Sequence, residues 1–211
     1  MPSVTSLSKF TVPLSTNQSS SAQGLLMPKL KYRFRVTLEN FGVAGTPATE
    51  LTKQVMNVTR PDITFEEIKI PVYNSTVKLA GKHSFAPAKL VVRDDVSGQV
   101  SLKVAEQLQK QFDFYEQSAA ASGIDYKFKM VVEILDGGNG AYTPQTLEVF
   151  EFVGCYLNQV TYSNADYASN EPVQIDLSVT YDNAIQVATP GGEPNGLGIA
   201  VGRTVRSLIT G

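Results

Sequence analysis

Cysteine and histidine each occur once in these 211 residues, and tryptophan does not occur at all. The lone thiol, Cys155, excludes an internal disulfide framework and any zinc site built on several thiolates, and it fits a reducing or neutral compartment. The lone imidazole, His83, would have to serve every Ser–His or Cys–His arrangement. No G-x-S-x-G elbow or other nucleophile context accompanies it. A basic excess is missing too: 18 Lys and Arg stand against 20 Asp and Glu, which argues against a protein that grips nucleic acid. No apolar run approaches the roughly 18 residues of a membrane span. Ser and Thr fill the N-terminal stretch where an export signal would carry its apolar segment. The expectation is a soluble protein with no membrane anchor. The N-x-S/T matches at Asn17, Asn57 and Asn74 then read as chance rather than as glycosylation sites.

What is present suffices for one good core, since 42% of the residues are hydrophobic and 18% charged. The two ends differ from the middle. Residues 1–23 hold ten Ser or Thr and a single charged side chain, Lys9, so an N-terminal arm is placed at 1–25. TPGGEPNGLG opens a C-terminal arm at 187–211, which also carries Arg203 and Arg206. A domain at 26–186 lies between them.

The domain reads mainly as strands. In VQIDLSVTYD, Val173, Ile175, Leu177, Val179 and Tyr181 fall on one side of an extended chain, and Gln174, Asp176, Ser178, Thr180 and Asp182 fall on the other. YRFRVTL alternates Tyr32, Phe34, Val36 and Leu38 with Arg33, Arg35 and Thr37, and YKFKMVVEI behaves likewise from Tyr126 to Ile134. ITFEEIKIPVY changes phase between Phe65 and Ile68, which predicts a bulge near Glu66 and Glu67, and Pro71 favours an edge. With Asn74 and Ser75 as the turn, a long, partly exposed hairpin spans about 62–81. DGGNG at 136–140 marks another turn, leading into a strand that runs through Gly154.

One segment is helical, at about 97–118. Val100, Val104, Leu108, Phe112 and Tyr115 recur at spacings of four or three, and Glu106 and Lys110 are placed for an outward i,i+4 pair. Asp94, Asp95 and Ser97 precede it, where acids complement the helix dipole and Ser can cap free N–H groups. The fold class is an antiparallel β-barrel or sandwich with one flanking amphipathic α-helix.

None of the chemistry-bearing residues assembles into a catalytic set. Asp94 and Asp95 are adjacent and diverge in direction, and the helix start already accounts for them. Glu66 and Glu67 meet the same objection on a strand. GGEPNGLG lacks the strand-and-helix frame of a dinucleotide loop, and Cys155 between Gly154 and Tyr156 reads as a small packing residue. The expectation is a protein that is not an enzyme and takes no cofactor or metal.

Three stretches carry a resemblance: LVVRDDVSGQVSLKVAEQL, FVGCYLNQVTYSNADY and IDLSVTYDN, in that order over residues 30–186. The sequence resembles the tail-tube proteins of contractile-tailed bacteriophages, of the T-even type. That likeness implies an Hcp-like architecture, with hexameric rings stacked helically into a tube whose lumen conducts the genome during ejection. The subunit's partners would be itself, the sheath, baseplate and tape-measure proteins, and double-stranded DNA in transit. Its place would be the virion tail, assembled in the host cytoplasm. The candidate lumen wall is Asp176, Ser178, Thr180 and Asp182, a hydrated, partly acidic face that would repel phosphates. The hairpin would bridge stacked rings through Glu66, Glu67, Tyr73, Asn74 and Lys78, together with both arms. Two other readings stay open: a tube subunit of a related injection or secretion apparatus, and a monomeric β-sandwich binding module.

Overall fold

The computed structural model describes residues 29–43, 49–136 and 144–187. The arms expected at 1–25 and 187–211 lie outside the described residues except for Val187, as does the glycine turn after Asp136. The chain divides into two units at Arg33 and Phe34. In the first, Lys29–Arg33 form a turn in which Arg33 N–H donates to Leu30 O at 3.2 Å. Tyr32 is exposed there and does not join the strand that its alternation suggested.

The second unit is a mainly antiparallel β fold. Its strands are β1 (Phe34–Glu39), β2 (Val55–Val58), β3 (Ile63–Val72), β4 (Ser75–Phe85), β5 (Ala88–Arg93), β6 (Phe112–Asp113), β7 (Ser118–Ala119), β8 (Phe128–Leu135), β9 (Thr146–Tyr162), β10 (Gln174–Thr180) and β11 (Asn183–Val187). Among the described residues three helices interrupt them: α1 (Thr49–Lys53), α2 (Gln99–Gln111) and α3 (Gly123–Tyr126). Six strands form one path among the described residues, in the order β1-β8-β9-β10-β5-β2, and a seventh, β11, pairs with β9 off that path.

The long strand β9 belongs to two ladders. Residues 146–155 pair with β8, and residues 149–153 also with β11, whereas residues 156–162 pair with β10. The change comes at Gly154, whose φ of +72° is open to glycine and strained for other residues. Side chains from both ladders meet in one core. Val36, Met130, Val132 and Phe152 come from the first, and Leu90, Val92, Ile175, Leu177 and Val179 from the second. The alternation read in β10 is what it shows, with Ile175, Leu177 and Val179 buried and the polar residues between them half-exposed.

Helix α2 lies against this core through Val100 and Val104. It is shorter than its apolar spacing suggested, starting at Gln99 and stopping at Gln111. Phe112 is extended, and the Asp113 carboxylate accepts the N–H groups of Tyr115 and Glu116, folding the chain back as the β6–β7 ribbon. Tyr115 is therefore exposed rather than part of the buried stripe. The N-cap is Gly98, not a serine, and Asp94 reaches over it to accept from Ser101 N–H and Oγ–H.

The predicted outward Glu106–Lys110 pair does not form. Glu106 pairs with Lys103 at 2.9 Å and takes Val43 N–H at 3.2 Å, while Lys110 donates to Asn40 O and Oδ1. Lys103 within the helix and the loop after β1 supply these partners instead, and an i,i+4 pair in water is worth only about 0.2–0.5 kcal/mol.

Candidate assembly surfaces

The hairpin leaves the body as the prolongation of the β2–β5 pair. Thr59 N–H donates to Lys89 O at 2.9 Å and Ala86 N–H to Asp62 O at 3.1 Å, carrying that pairing into β3 and β4. The hairpin runs to Phe85, slightly beyond the expected 62–81. The register slips between Phe65↔His83 and Glu67↔Ala80, which puts the extra residue on the β4 side, opposite Glu66. The slip separates two faces in the outer half. Ile68, Ile70, Val72, Val77 and Leu79 share one, by their pairing and alternation, and all are exposed. Glu67, Lys69 and Lys78 share the other, where Glu67 pairs with Lys78 at 2.8 Å and Lys69 at 3.6 Å.

Of the residues expected to act in this hairpin, Tyr73 and Asn74 form its tip and Tyr73 is fully exposed, with φ +44°. Glu67 and Lys78 lie together on the charged face, and Glu66 sits at the bulge. The apolar face of the hairpin, Ile68, Ile70, Val72, Val77 and Leu79, was not among the residues expected to act here, and it is exposed along its length. At the base, Phe85 packs on Tyr181 with ring centroids 5.2 Å apart, and exposed His83 meets the Phe85 ring edge-on at 5.3 Å.

The outer face of β10 carries Asp176, Ser178 and Thr180. Its charge is matched, because Lys89 Nζ lies 3.1 Å from Asp176. Around that pair a shallow depression of about 230 Å³ is lined by Pro87, Gln159, Thr161 and Ser178. Asp182 does not continue this row. The strand ends at Thr180, and Asp182 turns to Lys127 at 2.5 Å while its N–H donates to Val153 O. The Asp182 carboxylate holds the Lys127 ammonium above its ordinary range. The four residues expected to form a hydrated, partly acidic wall thus form a polar face with one acid in an ion pair, plus a separate ion pair at Asp182.

The ladder β9(156–162)-β10-β5-β2 has two edges that pair with no further strand among the described residues. Its four strands alternate in direction, so the edge strands β9 and β2 run oppositely. Met56, at the irregularity in β2, is exposed on that edge.

Two glutamines of α2 also hold the site's framework and gave no motif in the sequence. Gln107 is fully buried, accepting from Gly42 N–H at 2.9 Å and donating to Tyr126 O at 2.7 Å. Gln111 reaches β9. The signal for both was a pair of amides on the inward side of an otherwise apolar stripe. Cys155 is buried and its thiol is pushed up to about 12 by burial, so it stays a thiol at neutral pH. Among the described residues no cluster of His, Cys, Asp and Glu is arranged to hold a metal, and no helix is long and apolar enough to cross a membrane.

Neither a protein-family model nor a curated protein matches the sequence. Solved structures do. A chain of the anti-feeding prophage cap, described as a tube terminating cap, aligns with a TM-score of 0.56 at 16% identity, over 79% of this chain and 95% of that one. A chain of the PVC sheath–tube complex of an extracellular contractile injection system, in its extended state, aligns with a TM-score of 0.53 at 17% identity, over 82% of this chain and all of that one. A chain of the anti-feeding prophage baseplate aligns with a TM-score of 0.53 at 14% identity, over 77% and 97%. What is shared at these identities is the fold, which is that of chains found in contractile injection systems.

Proposed function

We propose that this chain is a tube subunit of a contractile injection machine, assembling with copies of itself into rings that stack. The observation that carries this is the ladder β9-β10-β5-β2, whose two open edges run in opposite directions. Rotating one copy beside another brings β2 against β9 as an ordinary antiparallel pair, and repeating the step closes a barrel with no free edge. The fold shared with cap, sheath–tube and baseplate chains supports the same reading. The exposed apolar face of the β3–β4 hairpin then has an occupant, the adjoining ring, which removes Ile68, Ile70 and Leu79 from water.

The finer reading is a bacteriophage tail tube in the virion, of hexameric rings, with sheath, baseplate and tape-measure partners and double-stranded DNA as passing cargo. A tube carrying protein instead would use the same ring. Capsid and terminase genes beside this one support the phage, whereas ATPase and immunity genes support a secretion apparatus. The assembly itself is tested by negative-stain electron microscopy of the purified chain over a range of concentrations. Rings or hollow tubes are expected. A chain that stays monomeric, even with sheath or baseplate partners added, overturns the proposal.

A further inference from the structure

At the end of α2, the side chain of Gln111 does to Leu157 what a neighbouring strand would do. Its Nε2 donates to Leu157 O at 2.9 Å, and its Oε1 accepts from Leu157 N–H at 2.9 Å. A residue in an antiparallel ladder turns both backbone groups to the same side. Leu157 faces Val179 of β10 in register, yet spends both groups on Gln111, so the contact lies on the open side of β9. Directly beyond it, residues 158–162 pair with no strand on that side among the described residues.

The amide is held in place rather than swung over the edge by chance. Gln111 is the last residue of α2, and its own carbonyl accepts from Ala120 N–H at 3.4 Å. The chain then folds back as β6–β7, locked by the Asp113 carboxylate on two N–H groups and on Gln109 Nε2 at 2.9 Å. Beside it opens a cleft of about 330 Å³, walled by Phe112, Ala119, Tyr126, Tyr156 and Asn158. A preset side chain of this kind blocks one pairing position at no further ordering cost when a strand arrives.

We propose that Gln111 is an edge guard that sets the register between copies, admitting the β2 strand of a second copy along residues 158–162 of β9 and refusing it at Leu157. The inference rests on the tube reading for the identity of the incoming strand. Register matters because a slip of one residue sends every side chain of the incoming strand to the opposite face. With Leu157 already satisfied, a strand that slides toward the Gly154 bend gains no hydrogen bonds there, and the alternative registers lose their advantage.

Two variants separate this role from a mere anchor for α2. Gln111→Ala removes the anchor and leaves Leu157 open. Gln111→Glu also loses the donor half of the anchor, yet places a carboxylate charge at the edge, which deters pairing. Both should melt below the parent chain in circular dichroism. In electron micrographs of assembled material, Gln111→Glu should keep the parent tube diameter and ring spacing, whereas Gln111→Ala should give mixed diameters or sheet-like aggregates. Gln111→Ala tubes of parental diameter and spacing would overturn the guard, as would equal disorder in both variants. If the parent chain forms no tubes, the tube reading fails on its own and sedimentation decides the guard. Self-association of Gln111→Ala alone as concentration rises upholds it, and three monomers overturn it.

Discussion

The carboxylate of Asp182 stands over the Cα of Gly154, in the space that a side chain at that position would fill. The same carboxylate pairs with Lys127, and Asp182 N–H donates to Val153 O, so one residue ties the bend in β9 to the β10–β11 corner and to the start of β8. Gly154→Ala meets two penalties at once. The left-handed backbone alone costs about 1–2 kcal/mol in a residue with a Cβ, and the new methyl group displaces Asp182 from its ion pair. A loss of at least about 2 kcal/mol in urea unfolding is expected. An unchanged midpoint would show that the corner relaxes freely and does not fix the bend.

Gln107 should be the most sensitive polar residue of the helix. Gln107→Leu removes a buried amide and leaves its two partners, Gly42 N–H and Tyr126 O, without it. Stranded buried groups cost about 1–3 kcal/mol each, so a drop in stability of a few kcal/mol is expected in chemical denaturation. Leu102→Gln, on the exposed side of the same helix, should change stability by less than about 0.5 kcal/mol.

Acid should loosen the contact between α2 and the loop after β1. The Lys103 ammonium foremost, and Val43 N–H after it, hold Glu106 below its ordinary value of 4.5 against the opposing effect of burial. A carboxylate with a lowered folded pKa contributes stability that is complete above 4.5 and is lost as pH falls through the folded value. Thermal melts between pH 6 and pH 3 should therefore fall more steeply for the parent chain than for Glu106→Gln. Parallel curves would mean that the pair contributes nothing to the acid limb.

Much of the fold was legible because its signals are local. Ile175, Leu177 and Val179 alternate strictly, and the phase change after Phe65 announced the irregularity in the hairpin. The end of α2 was not legible, because Leu108, Phe112 and Tyr115 keep helical spacing while a single carboxylate, Asp113, ends the helix by binding N–H groups two and three residues on. The charge partners were misjudged for a different reason. Lys103, one turn back on the helix, competes for Glu106, and Val43 and Asn40 reach Glu106 and Lys110 only after folding, from 63 and 70 residues away, a meeting no periodicity records. The same holds for Asp182, which has the right parity for the β10 face but leaves it because the strand stops at Thr180.

The hairpin separates assembly from folding. Ile70 and Leu79 are exposed on its apolar face, so replacing either with Asp removes little burial from the single chain and should shift its melting by less than about 0.5 kcal/mol in stability. In a stacked tube the same substitutions place a charge where apolar side chains should meet a neighbouring ring, so polymerisation should be lost while isolated rings survive. Lys69→Ala on the opposite face removes only one exposed ion pair, at 3.6 Å, and such pairs contribute at most about 1 kcal/mol. Its tubes should look like those of the parent chain. Electron microscopy of the three proteins at matched concentration reads all of this at once: normal tubes from Ile70→Asp and Leu79→Asp would place the inter-ring contact elsewhere. Loss of tubes from Lys69→Ala alone would assign that contact to the charged face.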